Sequence, residues 1–150
     1  AMDHARIIGL KDSSGNMIYM HRMIEMLKHR PDWTLLVGPE ELLSDCVLAG
    51  GHGGVSGGAN VFPRLYVDLY EAASRGDLAR TRELQSKVLE VSGKLYRLGD
   101  HASSYIKGIK TALSLLGICD DGMAEPCQRF ETQDRARVQA TLKELQTLVG

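Results

Sequence analysis

Cysteine is scarce in this 150-residue chain. The three present, Cys46, Cys119 and Cys127, are odd in number and share no metal-like spacing. That excludes a disulfide framework and a cysteine-based zinc site. They read as free thiols of a reducing cytoplasm, packed as small, partly buried apolar residues. Aromatic residues make up only 5%, and no basic, aromatic-studded surface suggests nucleic acid. Neither sign of charge dominates: 18 Lys and Arg stand against 19 Asp and Glu, for a formal net charge of −1. The electrostatic case for nucleic acid or an anionic membrane is therefore missing. No apolar run approaches the roughly 18–20 residues of a membrane span. The opening Ala1-Met2-Asp3-His4 lacks the basic and long apolar regions of a signal peptide. The histidines are scattered, and Asp120-Asp121-Gly122 is too short for a calcium loop, so neither a metal nor a cofactor is expected.

What is present is an ordinary globular balance, with 43% hydrophobic and 25% charged residues. The length is that of one domain able to bury a core. The first sixty residues alternate between strand-like and helix-like segments. Ile7 to Leu10 reads as a strand. Asn16 to Arg30 carries Met17, Met20, Ile24 and Leu27 at helical spacing and stops at Pro31-Asp32. Trp33 to Gly38 is an apolar run of strand length, and Glu40 to Ala49 a helix with Leu42, Leu43, Cys46 and Val47 inward. Gly51 to Asn60 reads as a short glycine-rich strand and its exit turn. Uninterrupted apolar strands alternating with helices predict parallel βαβ units.

The remainder reads as helical. Pro63 opens a helix with Leu65, Leu69 and either Ala72 or Ala73 on one face. Asp77 caps the next, whose stripe runs Leu84, Val88, Val91, Leu95 and Leu98 before Gly99-Asp100 ends it. Ile106, Ile109, Leu113 and Leu116 form a further stripe ending at Gly117. Thr132 caps a last helix with Val138, Leu142, Leu145 and Val149 on one side. The charged faces read as solvated surface. Three parallel strands make neither a closed barrel nor a doubly wound sheet, and their edges call for a cover. The pattern therefore reads as the later part of something larger.

The chemistry-bearing stretch is Ala5 to Gly15, where a short apolar strand delivers Lys11 to its end, followed by the polar turn Asp12-Ser13-Ser14-Gly15. A lysine at the rim of a buried strand loses solvation, which favours the neutral amine. A neutral amine is the nucleophile for a Schiff base with a carbonyl compound. A surface lysine that merely ends a strand would look the same. The glycine-rich run Gly50 to Gly58 lacks the Gly-Lys-Ser/Thr ending of a P-loop and does not fit a dinucleotide fingerprint. His52, without a nearby Cys or His partner, reads as a loop or packing histidine.

Four motifs in order, Ile8-Gly9-Leu10-Lys11-Asp12-Ser13-Ser14-Gly15-Asn16, Leu35-Leu36-Val37-Gly38-Pro39-Glu40, Gly50 to Val61 and Tyr105 to Ile118, resemble the dihydrodipicolinate synthase / N-acetylneuraminate lyase family. The resemblance covers nearly the whole chain. It implies an α/β fold: a partial TIM (β/α)8 barrel, the last three β/α units over residues 1–75, followed by a three-helix C-terminal extension over residues 76–150. It implies a pyruvate-dependent class I aldolase or lyase, with Lys11 as the Schiff-base lysine and Val55 facing substrate. Its partners would be pyruvate or another 2-oxo acid and an aldehyde, with no cofactor, in a cytoplasmic homo-oligomer. Asp12, Ser13 and Ser14 would fix the turn and cap the following helix. Gly57-Gly58 is bare for this family's last strand, which implies a wider pocket or a looser strand. The family's proton-relaying tyrosine and its early threonine pair have no counterpart, since Tyr19, Tyr66, Tyr70, Tyr96 and Tyr105 fall on helices. A truncated and impaired lyase is thus the first expectation. A non-catalytic half-barrel serving as a structural or oligomerisation unit is the alternative.

Overall fold

The computed structural model describes residues 4–99 and 101–150. The opening tripeptide Ala1-Met2-Asp3, part of the signal-peptide argument, and Asp100, assigned to a helix end, lie outside the described residues. The chain divides into two units, residues 1–56 with 67–85, and residues 57–66 with 86–150. Among the described residues no helix is long and apolar enough to cross a membrane.

The first unit is built on a three-stranded parallel sheet, β1 (Gly9–Asp12), β2 (Thr34–Val37) and β3 (Gly53–Gly54), in the order β1-β2-β3. Lys11 pairs with Leu36 and Leu36 with Gly53. Strand side chains alternate between faces. One face therefore carries Leu10, Asp12, Leu35 and Val37, and the other Gly9, Lys11, Thr34 and Leu36. The first face is the buried one: Leu35 and Val37 join Met20, Leu27, Trp33 and Cys46 in a single apolar cluster. Met20 and Leu27 come from α1 (Met17–Leu27) and Cys46 from α2 (Leu43–Leu48). Their helical spacing is what aims them at the sheet.

β1 starts two residues later than its sequence suggested, so Lys11 lies within the strand and not beyond its end. Among the described residues it pairs with β2 alone, whose ladder begins after the turn that closes with Trp33 N–H donating to the Arg30 carbonyl. Ile7 and Ile8 are left out of the strand and exposed, Ile8 at 70%. The helix expected over Glu40 to Ala49 is split into a 3-10 turn, Glu40–Leu42, and α2. His52 is an exposed loop residue just before β3: its Nδ1 accepts from Leu35 N–H at 3.0 Å while its backbone N–H donates to the Leu35 carbonyl.

Helix α3 (Pro63–Ser74) buries Leu65, Leu69, Ala72 and Ala73, and α4 (Leu78–Leu95) buries Leu84, Val88, Val91 and Leu95, as their spacing predicts. Asp77 Oδ1 accepts from Arg80 N–H and so caps α4. In the second unit α5 (Ser104–Leu115) packs on α6 (Thr132–Val149), which buries Val138, Leu142 and Leu145. Two expectations change there. Ile106 is 47% exposed; the buried face of α5 is instead Ser104, Gly108, Ile109, Thr111 and Ala112. A Cβ on Gly108 would collide with the Leu95 carbonyl, so the close crossing selects the small-residue face. Thr132 is the first residue of α6 and not its cap; that position is Glu131, which makes no side-chain capping bond.

Candidate active site around Lys11

The turn after β1 is fixed by a relay of short polar side chains. Asp12, buried on the covered face, accepts from Ser14 N–H at 2.9 Å and from the Ser14 hydroxyl at 3.0 Å. Ser14 Oγ accepts from Asn16 N–H at 3.1 Å, and Asn16 Oδ1 from Tyr19 N–H at 3.0 Å. Asn16 is therefore the cap of α1, a position the sequence reading gave to the three residues before Gly15. Gly15 takes a φ of 70° between them, a conformation that suits glycine. This local chemistry orders the chain that follows Lys11, while Asp12 points away from it.

Lys11 itself occupies the uncovered face. Its Cε lies 3.0 Å from where a Cβ on Gly38 would stand, and Ser13 Oγ crowds the same place. The lysine stem thus leans along the sheet across the end of β2, where the Gly38 N–H donates to the Asp12 carbonyl. Only a residue without a side chain leaves that path open. Val55 N–H donates to the Val37 carbonyl at 2.8 Å, extending the β3 ladder one residue past Gly54. By strand alternation Val55 falls on the same face as Lys11, level with Gly38. Lys11, Gly38 and Val55 are thereby gathered on one side of the sheet. Gly38 is the member that the sequence reading treated as a strand end and not as part of the site. The signal for it was its position two residues after Leu36, on the face shared with Lys11.

The desolvation expected of Lys11 is not present, because Lys11 is exposed. β1 is an edge strand, and nothing among the described residues covers its outer flank. Beside it a hollow of about 440 Å³ is lined by Ile8, Gly9, Lys11, Thr34 and Leu36. Val55 is 54% exposed on the same face. An amine beside apolar walls can add to a carbonyl, but among the described residues no general acid or base is fixed against it. Among the described residues no group of three His, Cys, Asp or Glu side chains gathers as a metal site. Tyr19, Tyr66, Tyr70 and Tyr105 lie on helices, and Tyr96 follows directly after α4. The bareness of Gly57 proves to be filled space: it lies outside any strand, and a Cβ there would collide with the Tyr105 hydroxyl and sit 2.7 Å from Tyr105 Cζ.

The structure of dihydrodipicolinate synthase from Bacteroides thetaiotaomicron is similar with a TM-score of 0.89 and 50% identity, over 91% of this chain and 46% of that one. YagE, a prophage protein of the dihydrodipicolinic acid synthase family from Escherichia coli K12, solved in complex with pyruvate, is similar with a TM-score of 0.81 and 26% identity, over 93% and 46%. An uncharacterized DapA-like lyase of Halobacterium salinarum is 36% identical over 139 residues, 93% of this chain and 43% of that protein. The chain thus spans somewhat under half the length of these relatives. A profile of the dihydrodipicolinate synthetase family matches residues 2–145, and the chain belongs to that family.

Proposed function

We propose that this chain carries the nucleophile of a pyruvate-dependent, Schiff-base-forming lyase or aldolase, with Lys11 as the imine-forming residue and Val55 lining the space for substrate. The observation that carries the reading is the lysine stem lying across Gly38, on the face that also holds Val55. In that reading residues 1–75 are the last three β/α units of a (β/α)8 barrel and residues 76–150 its helical extension. Barrel enzymes place their chemistry at the C-terminal ends of the strands. The pyruvate held by YagE supports a 2-oxo acid as the substrate class.

The Lys11 amine adds to the ketone carbon, and loss of water leaves an imine. Once protonated, that imine draws electrons from the neighbouring carbon, which releases a proton to give an enamine. The enamine adds to an aldehyde, and hydrolysis returns the free amine. Proton relay and carboxylate binding supply much of the rate of such a sequence. Those groups would come from further chain, so the 150 residues alone should trap pyruvate slowly.

Incubation with pyruvate and sodium borohydride, followed by mapping of the modified residue, tests this. A reduced pyruvyl adduct on Lys11 that disappears in Lys11→Ala supports the proposal. A folded chain that gives no adduct on Lys11 sinks it for this chain. The exposure of Lys11, Ile8 and Val55 favours one second reading, a half-barrel that serves as a structural or oligomerisation unit. Sedimentation of the same sample separates the two: self-association without an adduct favours the second.

A further inference from the structure

The strand that leads to Val55 has little of its own to hold it. β3 is two residues long and both are glycine, so it has no side chain to interlock with β2. The backbone just before it is still tied to α2, where Gly50 N–H donates to the Val47 carbonyl and Gly51 N–H to the Cys46 carbonyl. The approach is close, since a Cβ on Gly51 would collide with Cys46 Sγ. The chain is thus still leaving the helix where a longer strand would set a carbonyl opposite Leu35. Leu35 is fully buried, and a buried N–H without an acceptor is costly. His52 supplies the acceptor. Its Nδ1 takes the Leu35 N–H at 3.0 Å, while its backbone N–H donates to the Leu35 carbonyl at 2.9 Å. One residue therefore satisfies both main-chain groups of Leu35. Val55 N–H then reaches the Val37 carbonyl at 2.8 Å, on the far side of β3.

We propose that His52 is a positioning residue: its imidazole stands in for a ladder carbonyl, anchors the start of β3 to β2, and so sets where Val55 stands. This rests on the reading of Val55 as lining the space for substrate. Nothing competes for the ring, because among the described residues the His52 side chain makes no other hydrogen bond or ion pair. To accept at Nδ1 the ring is neutral and carries its proton on Nε2. Removing the ring leaves a buried donor on a core strand. Asparagine places Oδ1 the same number of bonds from Cα as Nδ1 and restores the acceptor. A histidine that merely fills a loop requires neither that tautomer nor that rescue.

The test is NMR on the full chain, with His52→Ala and His52→Asn beside it. Long-range proton–nitrogen spectra of the unaltered chain, taken above the ordinary imidazole range, should show His52 protonated on Nε2 and bare at Nδ1. Amide exchange at Leu35 and Val55 should quicken about tenfold in His52→Ala and return toward the unaltered rate in His52→Asn. The pyruvate concentration for half-maximal borohydride trapping on Lys11 should rise in His52→Ala and recover in the same way. If His52→Ala does not fold, the tautomer and the His52→Asn rates decide. A proton on Nδ1, or exchange at Leu35 or Val55 that is unchanged in His52→Ala, would overturn the proposal. So would a trapping concentration that is the same in His52→Ala as in the unaltered chain. A chain that forms no adduct on Lys11 at all sinks the pyruvate reading by itself, and the Val55 exchange rate still decides this one.

Discussion

Replacing Gly38 by alanine tests the geometry around Lys11 without touching Lys11. The φ of Gly38 lies outside the left-handed region, so alanine meets no backbone penalty there. What it meets is matter: Lys11 Cε at 3.0 Å, Ser13 Cα at 3.1 Å, and Ser13 Oγ closer still. The lysine end can swing away at small cost, but the Ser13 backbone belongs to the turn tied down by Asp12, Ser14 and Asn16. Overpacking of this kind costs about 1–3 kcal/mol. The reduced freedom of the unfolded chain returns about 0.4–1 kcal/mol. The expected net loss is about 1–2 kcal/mol, a fall in Tm of about 2–8 °C for a chain of this size. Pyruvate trapping on Lys11 should fall further than stability does, because the stem loses its path across β2. Gly93→Ala is the control: it lies within α4, also outside the left-handed region, with nothing within 4 Å of the new methyl. There the same substitution should stabilise by about 0.5–1 kcal/mol through helix propensity. Thermal melts and trapping yields of the two variants decide the matter. Gly38→Ala with an unchanged Tm and unchanged trapping would show that the lysine does not lie across Gly38.

Thr111 is 1% exposed, and its hydroxyl has no partner among the described residues; Thr111→Val should therefore stabilise by about 1 kcal/mol in a denaturant melt, where an ordinary buried hydroxyl would give a loss. Burial raises the Cys46 thiol above its ordinary value of 9.0, so the unfolded chain gives up this proton first. The resulting stability is fully present below pH about 9 and drains as pH climbs through the raised folded value; melts of the wild type and Cys46→Ala across that range should converge. Native alkylation should correspondingly label exposed Cys119 well before Cys46, and equal rates would contradict the burial. The open flank of β1 beside exposed Ile8 should drive concentration-dependent self-association, which Ile8→Lys should weaken in sedimentation runs without lowering Tm.

The parts of this fold that were legible in the sequence are those whose signal is periodic and whose partner is close along the chain. The stripe Leu84, Val88, Val91 and Leu95 points inward because four consecutive turns repeat it, and no neighbour could re-aim it. α5 was misread at Ile106 because its orientation is set by contact, not by hydropathy. The backbone carbonyl of Leu95 needs the space at Gly108, and that decides which face turns in. A stripe of leucine and isoleucine does not record such an approach. The cap of α1 was misplaced for a related reason. Asp12, Ser14 and Asn16 are all competent acceptors, and only the course of the turn assigns the cap to Asn16.

The site divides along the same line. That Lys11 sits on a strand, with Val55 two strands away on the same face, follows from alternation and parallel register, both of which are local rules. Solvation of the lysine is not local. It depends on what pairs with the outer flank of β1, and the sequence of β1 is the same whether that flank is paired or bare. A strand set beside β1 would cover the Lys11 stem from the side opposite Gly38 and close the hollow along Ile8 and Thr34. It would do so without moving the turn, which is held by its own side chains. Positioning of the nucleophile is therefore built into residues 9–16 and Gly38, while its burial is left to whatever the strand edge meets.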